Sequence, residues 1–260
     1  MININKNLFL QRKNNIIAIT SGVGSMGKTW LAVTLSHALN MLQQSVLLFD
    51  ADNGLLNVSA QIEQTAPFSL NDVVSSAATL NQAIISVNRR KFDAISGDTG
   101  GNILESTPVG RLQILRDDIM CLACDYDYLL LDLPASEKIA QNILPPESNL
   151  ILVCTKEPSN LVSTYKFLQT AAAAERYKNM QIIVNYAQSY EEGLQTYNIL
   201  RRACEEYITQ TPLLLGVVRR DTRVRDAIRN RFLLLNRYPN SEAAADIMQI
   251  ARKILQKGEK

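Results

Sequence analysis

The sequence predicts a single α/β domain: a mainly parallel, twisted β-sheet with helices on both faces. Three observations carry that prediction. Short apolar runs alternate with longer helical patterns through almost the whole of the 260 residues, as parallel strands joined by crossover helices require. The strand candidates are nearly continuous apolar runs, the pattern of strands covered on both sides. The first of them runs directly into Gly22-Val23-Gly24-Ser25-Met26-Gly27-Lys28-Thr29, a match to the phosphate-loop pattern G-x-x-x-x-G-K-[ST], and a helix follows. Strand, glycine loop and helix in that order indicate a P-loop NTPase architecture.

The apolar run Ile16–Thr20 supplies the first strand, and helical spacing after the loop predicts a helix over Thr29–Leu42. The next buried run, Val46–Asp50, ends in acids. A helix is expected at Leu80–Val87 and a strand at Phe92–Ser96, then a helix at Pro108–Cys124 leading into the strand Tyr128–Asp132. The alternation continues with strand Leu150–Cys154, helix Asn160–Tyr177, strand Gln181–Asn185, helix Glu191–Ile208 and strand Leu213–Val218. Two helices, Asp221–Arg229 and Ser241–Gln256, follow. With no internal repeat, low-complexity tract or long linker, residues 15–260 read as one domain behind a polar segment, 1–14.

Hydrophobic residues make up 47% and charged residues 20%, enough apolar material for a core that needs no staples. No apolar run reaches membrane-spanning length and Met1–Lys6 lacks a signal-peptide core, so a cytoplasmic protein is expected. Cys121 and Cys124 form a C-x-x-C, but a metal site needs two further ligands and His37 is the only histidine, so the pair reads as structural. His37 itself is read the same way. The net charge of +2 gives no global sign of a nucleic-acid binder, yet Arg219–Arg237 holds seven arginines against only Asp221 and Asp226. Such a patch could meet DNA, an acidic partner or anionic lipid, or form a solvated helix face.

Each residue type in the loop has a physical task. Glycines let the backbone curl until its N–H groups surround phosphate oxygens. Lys28 would set its ammonium on the β/γ-phosphates and the Thr29 hydroxyl would join a Mg2+ shell, with Trp30 the last of the loop residues expected at the nucleotide. Open parallel sheets bind ligands beyond the carboxyl ends of their strands, and there this chain has acids. Asp50 and Asp52 follow one strand, on the same side by alternation. Asp132 ends another in the Walker B manner, opposite Thr29. One such acid alone would be a helix cap or turn residue; three after a phosphate loop read as metal-site and catalytic groups.

Asp50-Ala51-Asp52-Asn53-Gly54-Leu55-Leu56-Asn57 resembles the D-x-D-x-G-L-x-N segment of the MinD/ParA group of P-loop ATPases. Within that group the likeness is greatest to the flagellar-number regulators of the FlhG (FleN) type, from about Ile16 to Leu255. Glu157-Pro158-Ser159-Asn160-Leu161-Val162-Ser163-Thr164-Tyr165 resembles that group's E-P-T-S-I-T-D-A-Y, and Asn185-Tyr186-Ala187-Gln188-Ser189-Tyr190-Glu191-Glu192-Gly193 its N-x-A-x-S-x-x-E-G. Gly216-Val217-Val218-Arg219-Arg220-Asp221, with Val224, Arg225 and Ala227, is similar to its G-V-I-P-x-D-x-x-V-R-x-A. The resemblance implies ATP and Mg2+ as ligands. Lys28 and Thr29 would serve phosphates and metal, Asp50 and Asp132 would sit near the metal, and Asp52 would orient the attacking water. Asn185 would read the adenine edge, favouring ATP over GTP, and Arg219–Asp221 would line the base pocket through backbone contacts.

Three departures bear on activity. The group's extra loop lysine, which reaches across an ATP-bound dimer, is Val23 here, and the glycine two residues later is Ser25. Ser25 would strain the loop if its position needs positive φ. After the strand ending at Asp132 the chain reads Leu133-Pro134-Ala135-Ser136 without the usual glycine, and Arg219 replaces a proline. Residues 1–14 also lack the D-Q-A-x-x-L-R element of some FlhG proteins. ATP binding with slow or conditional hydrolysis is therefore expected: a dimerising switch acting on a protein partner, such as an NtrC-like flagellar activator or a flagellar assembly protein. An alternative is a ParA-like DNA-binding positioning ATPase that uses the arginine patch; a kinase or metal-cluster carrier is a third. The last helix, with Ile247, Ile250, Ala251, Ile254 and Leu255 on one stripe and Arg252, Lys253 and Lys257 toward the other side, would either dock on the sheet or grip the inner face of a membrane.

Overall fold

The computed structural model describes residues 15–52, 58–62, 66–87, 91–97, 103–145, 148–173, 179–208 and 211–258. Eight strands form one sheet: β1 Ile16–Ser21, β2 Val46–Asp50, β3 Ile84–Val87, β4 Phe92–Ile95, β5 Tyr128–Asp132, β6 Asn149–Cys154, β7 Asn179–Ala187 and β8 Leu213–Arg219. Their order is β3-β4-β2-β5-β1-β6-β7-β8. All neighbours run parallel except β3 and β4. Every residue of β1 and β2 is buried, the result of covering an apolar strand on both faces.

Alternation divides the strand residues between two cores. Ile17, Ile19, Val46, Leu48 and Leu130 face the helix Lys28–Met41 and the last helix, Glu242–Gly258. Ile16, Ala18, Leu47, Phe49 and Leu131 face the helices Val109–Leu122, Glu137–Ile143, Pro158–Ala173 and Tyr190–Tyr207.

The expected strands all occur, with ends moved by at most two residues. One expected helix does not. Over Leu80–Val87 the chain makes a single helical turn, Leu80–Ala83, and then strand β3. Thr79 and Gln82 close a capping box that starts the turn, but the β-branched run Ile84-Ile85-Ser86-Val87 is better satisfied paired antiparallel to β4. Short helices at Val58–Gln61, Leu70–Val74, Ile103–Ser106, Glu137–Ile143 and Leu234–Arg237 were beyond the reach of a 3.6-residue periodicity. The end of the expected helix Asn160–Tyr177 and the segments 1–14 and 53–57 lie outside the described residues.

The last helix docks. Ile247, Ile250, Ala251 and Ile254 are buried in the core, and the missing side chain of Gly216 on β8 makes room for Ile250. Burial of the three isoleucines contributes roughly 5–8 kcal/mol of gross stabilisation, all of which a membrane would have to replace. Lys253 does not point outward as expected: its ammonium returns to the carbonyl of Leu215 at 2.9 Å. No helix among the described residues is long and apolar enough to cross a membrane.

Candidate nucleotide site

The glycine loop lies where β1 ends. Gly22 packs against the backbone of Ser163 and Thr164, so close that a methyl group there would collide with main-chain atoms. Ser21 donates its hydroxyl to the carbonyl of Val23 at 2.5 Å, which turns the chain out of the strand. Gly24 and Ser25 are exposed at the tip, and Ser25 has φ 62°. Its position does take the left-handed conformation, at a cost of about 1 kcal/mol for a residue with a Cβ. Gly27, φ 79°, begins the helix, and an added Cβ would meet Asn185 Nδ2 and Tyr186 Oη at 2.7 Å. No side chain caps that helix, so its first N–H groups face the loop's concavity without a protein acceptor from a cap. Met26 packs on the adjoining core, and Trp30 is buried with no partner for its indole N–H among the described residues.

On one flank of the loop stand the acids. Asp50 and Asp132 are direct register partners on β2 and β5. Both project to the face that carries the Lys28–Met41 helix, since Leu48 and Leu130 two residues earlier do. Asp50 is fully buried; Oδ2 accepts the Val58 N–H at 2.8 Å and Oδ1 the Asp52 N–H at 3.1 Å. Burial, with Asp52 close by, pushes its carboxyl up to about 7 against the pull of those N–H groups. Both oxygens of Asp132 are buried without a hydrogen bond from a described residue. Its carboxyl is held well above the usual carboxylate range by burial and by Asp50, while the nearby Thr29 hydroxyl and Lys28 favour the charged form. Lys28, 4% exposed, is ion-paired with Asp52 at 3.0 Å. Two buried carboxylates, one with unused oxygens, beside a threonine hydroxyl form a set of hard oxygen donors that fits Mg2+.

The other flank lies beyond β6, at the ends of β7 and β8. Asn185 is buried, donates Nδ2 to the Met26 carbonyl at 2.9 Å and accepts the Tyr186 N–H on Oδ1 at 2.9 Å. One amide hydrogen and one lone pair have no partner among the described residues. Arg219 sends its guanidinium away from the loop: Nη2 and Nε contact Asp246 at 2.9 and 3.0 Å, and Nη1 contacts Glu242 at 2.7 Å. Its own N–H also donates to Asp246 at 2.9 Å, a bond that proline could not make. Asp221 caps the helix Thr222–Arg229 through Oδ1, leaving Oδ2 buried without a partner among the described residues. Arg220 N–H donates to the Ala187 carbonyl at 2.8 Å and joins the two strand ends.

Two of the departures acquire a structural reason. Ser136 is the N-cap of Glu137–Ile143, and Arg219 anchors the last helix. Sequence reasoning missed Tyr186, Asp246 and the Thr20 hydroxyl, which holds the Pro134 carbonyl at 2.8 Å. A cavity of about 430 Å³ among residues 73–82 and 111–125 is lined by none of the predicted site residues. Cys121 is exposed and Cys124 donates weakly to Met120; no metal-holding cluster of three His, Cys, Asp or Glu occurs among the described residues.

Fold and loop together define the class, a phosphate-loop nucleotide-binding protein. The chain belongs to the CobQ/CobB/MinD/ParA nucleotide-binding domain family, whose model matches residues 17–234. It is 25% identical over 246 residues to the antiactivator FleN of Pseudomonas aeruginosa, covering 92% of this chain and 85% of that protein. It is 26% identical over 257 residues to the flagellum site-determining protein YlxH of Helicobacter pylori, covering 97% and 86%. Among solved structures it superposes on the septum site-determining protein MinD of Pyrococcus horikoshii, complexed with Mg-ADP, with a TM-score of 0.74 and 25% identity over 93% of this chain and 96% of that one.

Proposed function

We propose that residues 15–260 form one nucleotide-switch domain that binds ATP with Mg2+, dimerises in that state and acts on a protein partner controlling flagellar number or flagellar gene expression. The observation that carries this reading is the Asp50–Asp132 register pair beside the loop lysine. Lys28 would leave Asp52 for the phosphates, and Asp52, released, would hold the attacking water. Thr29, Asp50 and Asp132 would hold Mg2+, which when bound neutralises charge on the phosphates. Asn185 and Asp221 each keep a free acceptor on the base side, which suits the adenine amino group. The flagellar role draws on nearly full-length likeness to an antiactivator and to a flagellum site-determining protein.

Val23 brings no cation to a partner's nucleotide, and the Arg219 fork is taken by Asp246, so hydrolysis is slow without a partner. Isothermal titration with MgATP, followed by light scattering on a sizing column, tests the switch: binding that converts monomer to dimer is expected, and failure to bind removes the reading. A second reading, a ParA-like positioning ATPase, is favoured by one observation. Arg220, Arg223, Arg225, Arg229, Arg231 and Arg237 are exposed and have no ion pair among the described residues. It predicts ATP-dependent retention of duplex DNA that weakens steeply with salt.

A further inference from the structure

We propose that Tyr186 is a positioning residue of the nucleotide site, its phenol ring forming a wall against which the base stacks. The inference rests on the nucleotide reading above and adds the residue that would hold the base. Strict alternation along β7 should send Asn185 and Tyr186 to opposite faces of the sheet. They do not go there. The β7–β8 register slips between Val184 and Ala187, so that Asn185 and Tyr186 together oppose Val218. Within this bulge Tyr186 takes φ 58°, a left-handed conformation that costs a residue with a Cβ about 1 kcal/mol. The result is that the ring turns back to the face of Asn185, with its hydroxyl beside Gly27 of the phosphate loop.

The conformation is held from both sides. Asn185 Oδ1 accepts the Tyr186 N–H, and the carbonyl of Ala187, next along, accepts the Arg220 N–H from the end of β8. An aromatic ring kept 44% exposed at this point has no core to fill. The layout explains its use. The acids stand on β2 and β5, on one side of β1, so phosphates and metal belong there and the base must extend the other way, over β6 toward β7. β7 is two strands from β1, about 10 Å, which is the reach from phosphates to base in a nucleotide. Tyr186 stands at that end, and the field of Arg225 reaches its phenol from the helix beyond. Stacking is tolerant of base identity, so Tyr186 supplies hold while Asn185 and Asp221 discriminate.

The test is competition of a ribose-labelled fluorescent ADP by unlabelled ADP and, separately, by pyrophosphate, all with Mg2+. Tyr186→Leu should weaken ADP about tenfold and leave pyrophosphate within about twofold, while Tyr186→Phe keeps ADP within about threefold of the parent. Parallel loss of ADP and pyrophosphate would mean that Tyr186 acts only by bracing the loop, and unchanged ADP affinity in Tyr186→Leu would mean that it does nothing; either overturns the proposal. A parent protein that binds pyrophosphate no more weakly than ADP overturns the base wall alone. One that binds neither removes the nucleotide reading and this proposal with it.

Discussion

The two flanks of the phosphate loop are built on opposite principles. On the β2–β5 side, three acids and a lysine crowd a largely buried space in which charge is the organising quantity: Asp50 and Asp132 sit in register, and Lys28, close to Asp132, is itself held by Asp52. On the β7–β8 side the groups are an amide, a phenol and a capping carboxylate, fixed by backbone bonds and a bulge. The first flank suits a metal and phosphates, whose charge is concentrated; the second suits a flat, weakly polar ring. Burial teaches the same lesson, since Asp50 and Asp132 are destabilised as charges where they stand, whereas Asn185 already holds the Met26 carbonyl and the Tyr186 N–H.

The substitution that should hurt most strikes the point both flanks share. Gly27→Ala must adopt positive φ and push aside Asn185 and Tyr186 together; a loss of about 3 kcal/mol in denaturant unfolding is expected, with nucleotide binding abolished. Next comes Arg219→Met, which leaves the Asp246 carboxylate, 7% exposed, with the backbone N–H of residue 219 but without its ion pair. Because Arg219 is itself partly exposed, about 2 kcal/mol is the expected loss. Stabilisation by MgADP should survive, since the guanidinium faces away from the acids.

Asp132→Asn should do the reverse on the other flank. It removes a carboxyl that burial keeps from ionising in the fold but that ionises once the chain unfolds, and the amide oxygen can still accept from the Thr29 hydroxyl, so the metal-free protein should melt higher, by about 1–2 kcal/mol. The dependence of nucleotide affinity on Mg2+ should vanish with it. A lower melting point would mean that the acid flank is a settled structural network, and the contrast between the flanks would fall.

Near neutral pH the smallest effect belongs to neither flank and serves as their control. His37 is 1% exposed in the helix behind the loop, both ring nitrogens without a partner among the described residues, and burial with the nearby Lys91 lowers its imidazole to about 4. The unfolded chain takes up that proton near 6.5, so stability falls as pH drops from 6.5 toward 4 and is level above 7. At pH 6 the loss is about 0.8 kcal/mol. His37→Leu should flatten this part of a pH–stability curve.

The acid flank was legible in the sequence because Asp50 and Asp132 each end an apolar strand, Asp52 follows two residues on, and Lys28 closes the glycine loop, all of them local patterns. The amide flank was half legible. Asn185 and Asp221 stood out, but no local rule sends the Arg219 fork to Asp246, 27 residues on, or turns Tyr186 back across its own strand. Bulges depend on how two strands are matched, and β8 contributes the mismatch. The same dependence hid β3, whose four residues become a strand only because β4 offers an edge. Val23 carries no charge whatever surrounds it; for Ser25 the sequence posed the question of positive φ and the backbone answered it.

The last helix reaches β8 through Asp246, Ile250 and Lys253, which grip Arg219, Gly216 and the Leu215 carbonyl in turn. Steps of four and three place these residues on one face of the helix. Mutational drift along that face is therefore coupled to drift in the strand that ends beside Tyr186 and Asp221. A change of protein tail, by truncation or fusion, that loosens this helix would be felt first as a change in the shape of the amide flank, long before the fold gave way.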